Sequence, residues 1–182
     1  HQLNLSAGTG GTATGSGSYS YGSTAQISAT PSTGYSFDKW DGNLTFANPF
    51  SATTTVTVTH DANLSASFSL QSYSLSTVVS GQGFATGAGT YSHGSQATLT
   101  ANPVTGHIFT GWSGSGITDS NESTISLTIT QDLNVTVSFA PLQSTLNVTA
   151  GAGGSVNDVN GSYSLNSIVS LVATPDAGYS FV

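Results

Sequence analysis

The side chains with chemistry to offer are few and scattered. Histidine occurs at His1, His60, His93 and His107, and Asp and Glu together number 8. No His-Glu-x-x-His segment and no paired carboxylate cluster is present, so the metal-hydrolase pattern is missing. Asp41-Gly42-Asn43, and Asp119 with Glu122, offer oxygens that calcium would accept, but neither has EF-hand spacing. Serine is plentiful at 31 residues, with 27 threonines, yet no Gly-x-Ser-x-Gly elbow holds one as a nucleophile. Gly8-Thr9-Gly10-Gly11 lacks the lysine of a phosphate loop and reads as a hairpin turn. A Lys–Asn isopeptide bond could use only Lys39, the one basic residue, and Gly111 stands at that place 72 residues on. These residue types and spacings predict no catalytic residue, no cofactor and no metal site.

Composition narrows the partners. With Lys+Arg 1 and a net charge of −7, the chain has no basic footprint for phosphates, which excludes general nucleic-acid binding. The same charge argues against anionic polymers and anionic lipid surfaces. No apolar run approaches the ~18 residues of a membrane-spanning helix, so membrane insertion is not expected. Cysteine and methionine are absent, which excludes thiolate zinc sites and disulfide scaffolds and removes the main oxidation targets. His1-Gln2-Leu3 does not open a signal peptide, which needs a basic and then an apolar region.

The elements that must position any site follow from periodicity. Leu3, Leu5 and Ala7 alternate with polar residues, as do Ala25, Ile27 and Ala29, Thr54, Val56 and Val58, and Leu64, Ala66 and Phe68. A period of two over five to seven residues is the half-buried strand pattern. Turn signals such as Thr33-Gly34, Asp41-Gly42-Asn43 and Gly153-Gly154 fall between these runs. The reading is all-β, with five or six short antiparallel strands in each unit. At most one helical turn is expected, in the variable loops 43–52 and 114–122.

Self-similarity organises the whole chain. Gly34-Tyr35-Ser36-Phe37-Asp38-Lys39-Trp40 is answered 72 residues later by Gly106-His107-Ile108-Phe109-Thr110-Gly111-Trp112, and then by Gly178-Tyr179-Ser180-Phe181. Tyr19, Tyr91 and Tyr163 keep the same offset, as do Pro31, Pro103 and Pro175. Phe68 is answered by Phe139 at an offset of 71. The units run over 1–70, 71–142 and 143–182, the third being an N-terminal half only, and a longer native chain is expected. Short connections such as Leu70-Gln71-Ser72 predict adjacent units that touch and bend little, in a rod-like array of tandem small β domains.

The pattern resembles the divergent internalin-B-type bacterial repeat, the Listeria–Bacteroides-like tandem repeat of secreted and surface proteins. The residues carrying the resemblance are Gly10-Gly11, Tyr19 to Gly22, Ala29-Thr30-Pro31, the Gly34, Tyr35, Phe37 and Trp40 set, and Phe68. The second unit matches with Gly106, Phe109, Trp112 and Phe139, with His107 in place of the usual Tyr. The third matches through Gly178, Tyr179 and Phe181. Resemblance implies β-grasp-like or β-sandwich-like domains, an extracellular, secreted or cell-surface location, and a role in extension or interaction rather than catalysis.

The aromatics remain to be assigned. Trp40 and Trp112, with Phe37 and Phe109, could stack on sugars, but filling the core of a small unit explains them more simply. Phe46 and Phe50 lie on a loop whose counterpart has no aromatic, which makes them the candidate ligand contacts, set against a local packing role. Tyr19 with Tyr21, and Tyr91 with His93, stand two apart and are expected to share a strand face. The expected function is a non-catalytic structural segment of a bacterial stalk, adhesin or fibre. Its expected partners are neighbouring repeats and, through sparsely charged edge strands, further copies of itself. The alternative is a polysaccharide-binding accessory module of a secreted hydrolase.

Overall fold

Alternating apolar and hydroxyl residues build strands throughout the computed structural model, which describes residues 1–117 and 121–182. The strands are β1 Gln2–Ala7, β2 Gly11–Thr14, β3 Gly17–Ser18, β4 Ser23–Pro31, β5 Tyr35–Asp41, β6 Thr45–Phe46, β7 Thr53–Val58 and β8 Ala62–Leu70 in repeat 1. Repeat 2 has β9 Ser72–Ser80, β10 Gly83–Thr86, β11 Gly89–Ser92, β12 Gln96–Pro103, β13 His107–Gly114, β14 Thr124–Thr128 and β15 Leu133–Pro141. Repeat 3 has β16 Gln143–Leu146, β17 Gly154–Val156, β18 Gly161–Ser164 and β19 Ala173–Pro175. The described residues contain no helix, so the fold is all-β. Loop 43–52 holds β6 instead of a helical turn, and part of loop 114–122 lies outside the described residues.

The chain divides into two compact units. One comprises residues 1–75, 89–97 and 127–133; the other comprises 76–88, 98–126 and 134–182. In the first, repeat 1 forms two four-stranded sheets, ordered β3-β1-β8-β5 and β2-β4-β7-β6. Leu3, Trp40 and Leu64 from one sheet meet Ile27, Val56 and Val58 from the other in one buried cluster. The outward positions carry Ser, Thr, Asn and Gln, which keeps the alternation that places one face inside. In the second unit β10 pairs with β12 and β13 pairs with β15, both antiparallel. There Trp112, Leu99, Val135 and Val137 are buried.

One pairing departs from the antiparallel expectation. β1 and β8 run parallel, with Leu3 opposite Ala62 and Leu5 opposite Leu64. The whole repeat intervenes between them, which supplies the long crossover that a parallel pair requires. A carboxylate pins the start of this pair. Asp61, just before β8, accepts the Gln2 N–H at 2.8 Å. Asp132, just before β15, accepts both the N–H and the hydroxyl of Ser74, at 2.7 and 3.0 Å.

A β-bulge settles where the aromatics point. Phe37 and Trp40 are three apart, and an unbroken strand would send them to opposite faces. The register shifts between Phe37 and Lys39, leaving Asp38 as the extra residue. The shift returns Trp40 to the inner face, with its ring 5.8 Å from that of Phe37. The bulge recurs between Phe109 and Gly111, and Phe109 and Trp112 stand 5.7 Å apart.

Repeat 3 is thinner. β4 spans nine residues because it pairs with both β2 and β7. Its counterpart β19 covers three residues and pairs with β17. No strand forms through Val169 and Leu171. Leu171 is 57% exposed, against 0% for Leu99 at the same place in repeat 2.

The Asp132 contact sets a pH dependence. Hydrogen bonds from the Ser74 backbone, and then from its hydroxyl, hold the Asp132 carboxyl below its ordinary value. A lowered folded-state pKa contributes stability above the unfolded value of about 3.9, lost as pH falls through the lower folded value. Asp132→Asn should therefore lower the melting temperature by a constant amount at neutral and mildly acidic pH. The gap from the unsubstituted chain should close once the pH falls below the folded-state value. Melting curves that stay parallel down to that acid limit would refute the assignment.

Candidate functional site

Each repeat carries two tight turns at fixed places, and these turns meet across the repeat boundaries. The first turn begins in Pro-x-x-Gly. Ser32 N–H bonds to Gly10 O at 2.8 Å, and Tyr35 N–H closes back on Ser32 O at 3.0 Å. Gly34 sits within it at φ 81°. The same turn forms over Val104–His107, with Gly106 at φ 81°, and over Asp176–Tyr179, with Gly178 at φ 85°. A positive φ strains any residue with a Cβ, which is why glycine holds this place.

The second turn is Ser20–Ser23, Ser92–Ser95 and Ser164–Ser167. In each, the N–H of the last Ser bonds to the O of the first, at 3.1, 3.1 and 3.0 Å. Gly22, Gly94 and Asn166 take φ 75°, 77° and 66°. That combination makes a type II turn, which needs Gly or Asn at its third position. Asn166 is thus a working substitute for glycine, and the only non-glycine with positive φ among the described residues. Tyr21, His93 and Leu165 occupy the tip. The structure places Tyr21 and His93 in this turn rather than on the strand face expected for them, because the glycine after each reverses the chain.

At the boundary of repeats 1 and 2, within the first unit, the tip of one turn sits on the glycine of the other. Gln71 N–H donates to Gly34 O at 2.8 Å, and His93 N–H donates to Gln71 O at 2.8 Å. Gly34 is buried, and a Cβ on it would collide with the His93 ring. At the boundary of repeats 2 and 3, within the second unit, the arrangement recurs. Leu142 N–H donates to Gly106 O and Leu165 N–H donates to Leu142 O, both at 2.8 Å. Leu165 lies 3.7 Å from where a Cβ on Gly106 would stand. Each linker residue thus spends its N–H on the repeat before it and its carbonyl on the repeat after it. His93 Nδ1 is enclosed without a hydrogen-bond partner.

The other sequence candidates lie elsewhere. Trp40 and Trp112 are buried, and each indole N–H closes the variable loop, on Ser51 O at 3.2 Å and on Glu122 O at 3.0 Å. Phe68 and Phe139 lie edge-on to Phe37 and Phe109 and press on Gly11 and Gly83. Tyr35 lies on Gly10 and Tyr179 on Gly153, while repeat 2 carries His107 and Gln82 at the corresponding positions. Phe46 is half-buried against the core, whereas Phe50 is 72% exposed. Tyr179 and Phe181 are exposed and line a cavity of about 310 Å³ with Gly154 and Val156. Lys39 bonds to Asp41 at the surface, at 3.3 Å. Among the described residues no three His, Cys, Asp or Glu come together as a metal site, and Asp119 lies outside those residues.

Sequence reading missed the joint because its parts are ordinary turn residues. The signal was present in the shared offset of Gly34, Gly106 and Gly178 with Tyr21, His93 and Leu165, but nothing in the sequence says that two turns meet. Gly34→Ala should cost the left-handed strain of about 1–2 kcal/mol and a steric term of about 1–3 kcal/mol. Gly178→Ala meets no atom within 4 Å and should cost the strain alone at most. Denaturant titration of both variants checks this, and equal losses would show that the His93 seat adds nothing.

In comparisons with known proteins, a family model described as Divergent InlB B-repeat domain matches the chain three times, over residues 1–72, 73–143 and 144–182. No curated protein and no solved structure matches it.

Proposed function

The chain belongs to the divergent InlB B-repeat family, and on that premise we propose that it is a non-catalytic structural segment of an extracellular bacterial stalk, adhesin or fibre. The family is typical of bacterial surface and secreted proteins and is generally non-catalytic. The observation that carries the reading is the joint. A linker whose N–H and carbonyl are both bonded, to the repeat before and the repeat after, fastens neighbouring repeats to one another. Joints built alike at successive boundaries let stability grow with repeat number, as in other quasi-one-dimensional arrays. Low charge and a single trypsin target, Lys39, suit a segment that stands in the open.

Phe50 favours a second reading. An exposed aromatic on a loop, beside the half-buried Phe46, is the kind of platform a polysaccharide-binding module uses.

Pulling the chain from its two ends separates the readings. The structural reading expects discrete force peaks, a complete repeat of 72 residues releasing about 25 nm of contour length, and no retention on insoluble glycans. Smooth extension at low force would contradict it. Retention on a glycan that Phe50→Ala abolishes would establish the second reading instead.

A further inference from the structure

Strand threonine in repeat 1 is confined to one of its two sheets. Strands β2, β4, β6 and β7 hold nine threonines, of which Thr54 alone is buried. Strands β1, β3, β5 and β8 hold none. Strand propensity favours threonine in either sheet, so it does not account for the partition. The sheet without threonine turns out Asn4, Ser6, Asn63 and Ser65, with Asp38, Lys39 and Asp41 exposed along β5. Among the described residues, no charged side chain and no aromatic ring points outward from the threonine face.

Register sets this face in rows. Thr24, Thr57 and Thr45 make one row, and Gln26 with Thr55 the next. Ser28 joins Thr14 and Thr53 in a third, where the Ser28 and Thr53 hydroxyls bond at 3.0 Å. Rows cross strands about 4.7–4.9 Å apart, and outward residues repeat along a strand every 6.4–6.8 Å or about that. Threonine is stiff at χ1, so each one holds its methyl and hydroxyl at a fixed place. Adjacent strands rotate by about 20–25°, so the grid is most regular over the central pair, β4 and β7. In the second unit β10, β12 and β14 turn out Thr86, Thr98, Thr100, Thr124 and Thr128. There the Thr124 hydroxyl donates to that of Thr100 at 3.4 Å.

The chemistry of the face selects its ligand. A hydroxyl donates and accepts as a water molecule does, and a fixed grid of hydroxyls and methyls holds its first layer of water in place. A charged group imposes its own hydration and breaks such a layer. Sugar rings are met by aromatic platforms, which this face lacks. We infer that the threonine face of β2, β4, β6 and β7 binds the surface of ice, its hydroxyls and held waters taking lattice positions. A grid formed in advance loses little entropy on meeting the lattice. The inference goes beyond the structural reading and does not depend on it.

The test partitions the chain into a slowly growing ice front and views ice crystals in its solution by nanolitre osmometry. The expected result is enrichment in the ice fraction, faceted crystals, and a gap between freezing and melting points. Thr57→Lys and Thr24→Lys, both at exposed positions, should each abolish all of these with the circular dichroism spectrum unchanged. Ser65→Lys, on the outer face of the other sheet, should keep them. Exclusion of the unsubstituted chain from ice would overturn the inference. So would enrichment that survives both threonine variants, or that Ser65→Lys removes as well. Retention on an insoluble glycan that Thr57→Lys abolishes would give the face to sugars and overturn it too. A chain excluded from ice that still unfolds in discrete steps under force keeps the structural reading and loses only this ligand.

Discussion

The structure depends on a linker residue at each repeat boundary whose N–H and carbonyl are both hydrogen-bonded. A seat glycine has no Cβ, so a turn from the next repeat can rest on it, and the linker residue between them is bonded on both sides. Gly34 with Gln71 and His93, and Gly106 with Leu142 and Leu165, share the linker bonds, but a Cβ would collide with the tip only at Gly34; at Gly106 it would stand in ordinary contact with Leu165, at 3.7 Å. What is kept is the backbone geometry. The tip side chain differs, His93 at one boundary and Leu165 at the other.

That constraint explains the distribution of special residues. Positive φ is concentrated where turns must reverse tightly, and Asn166 replaces glycine only in the type II turn, where asparagine tolerates the left-handed region. Aromatic rings are seated on glycines in the same manner within repeats, Phe68 on Gly11 and Phe139 on Gly83. Small units have little volume for a core, and a ring laid flat on a glycine brings two strands closer than a Cβ allows. The two tryptophans then close the long loops through their indole N–H groups. Each unit draws its order from a few large rings and many small turns.

Much of this was legible in the sequence. The 72-residue offset and the alternating strands are written in residue types and spacing. The parallel pairing of β1 with β8 was not, because alternation gives a strand its faces but not its neighbour or direction. The bulge at Asp38 was hidden for a related reason: Phe37 and Trp40 at three apart look like a broken pattern until an extra residue is counted. Tyr21 and His93 stand in turns rather than on a strand face, since Gly22 and Gly94 turn the chain immediately after them. The joint itself arises from residues about 60 positions apart, and single-sequence periodicity carries no such pairing.

Amide hydrogen exchange at the linkers tests the central claim most directly. If the joints are part of the folded repeats, the N–H groups of Gln71, His93, Leu142 and Leu165 exchange slowly, within the range of the strand amides beside them. Exchange at the rate of a free loop at Gln71 and Leu142, while the Trp40 and Trp112 amides stay protected, would mean that the repeats are strung together without being fastened, and the account would fail.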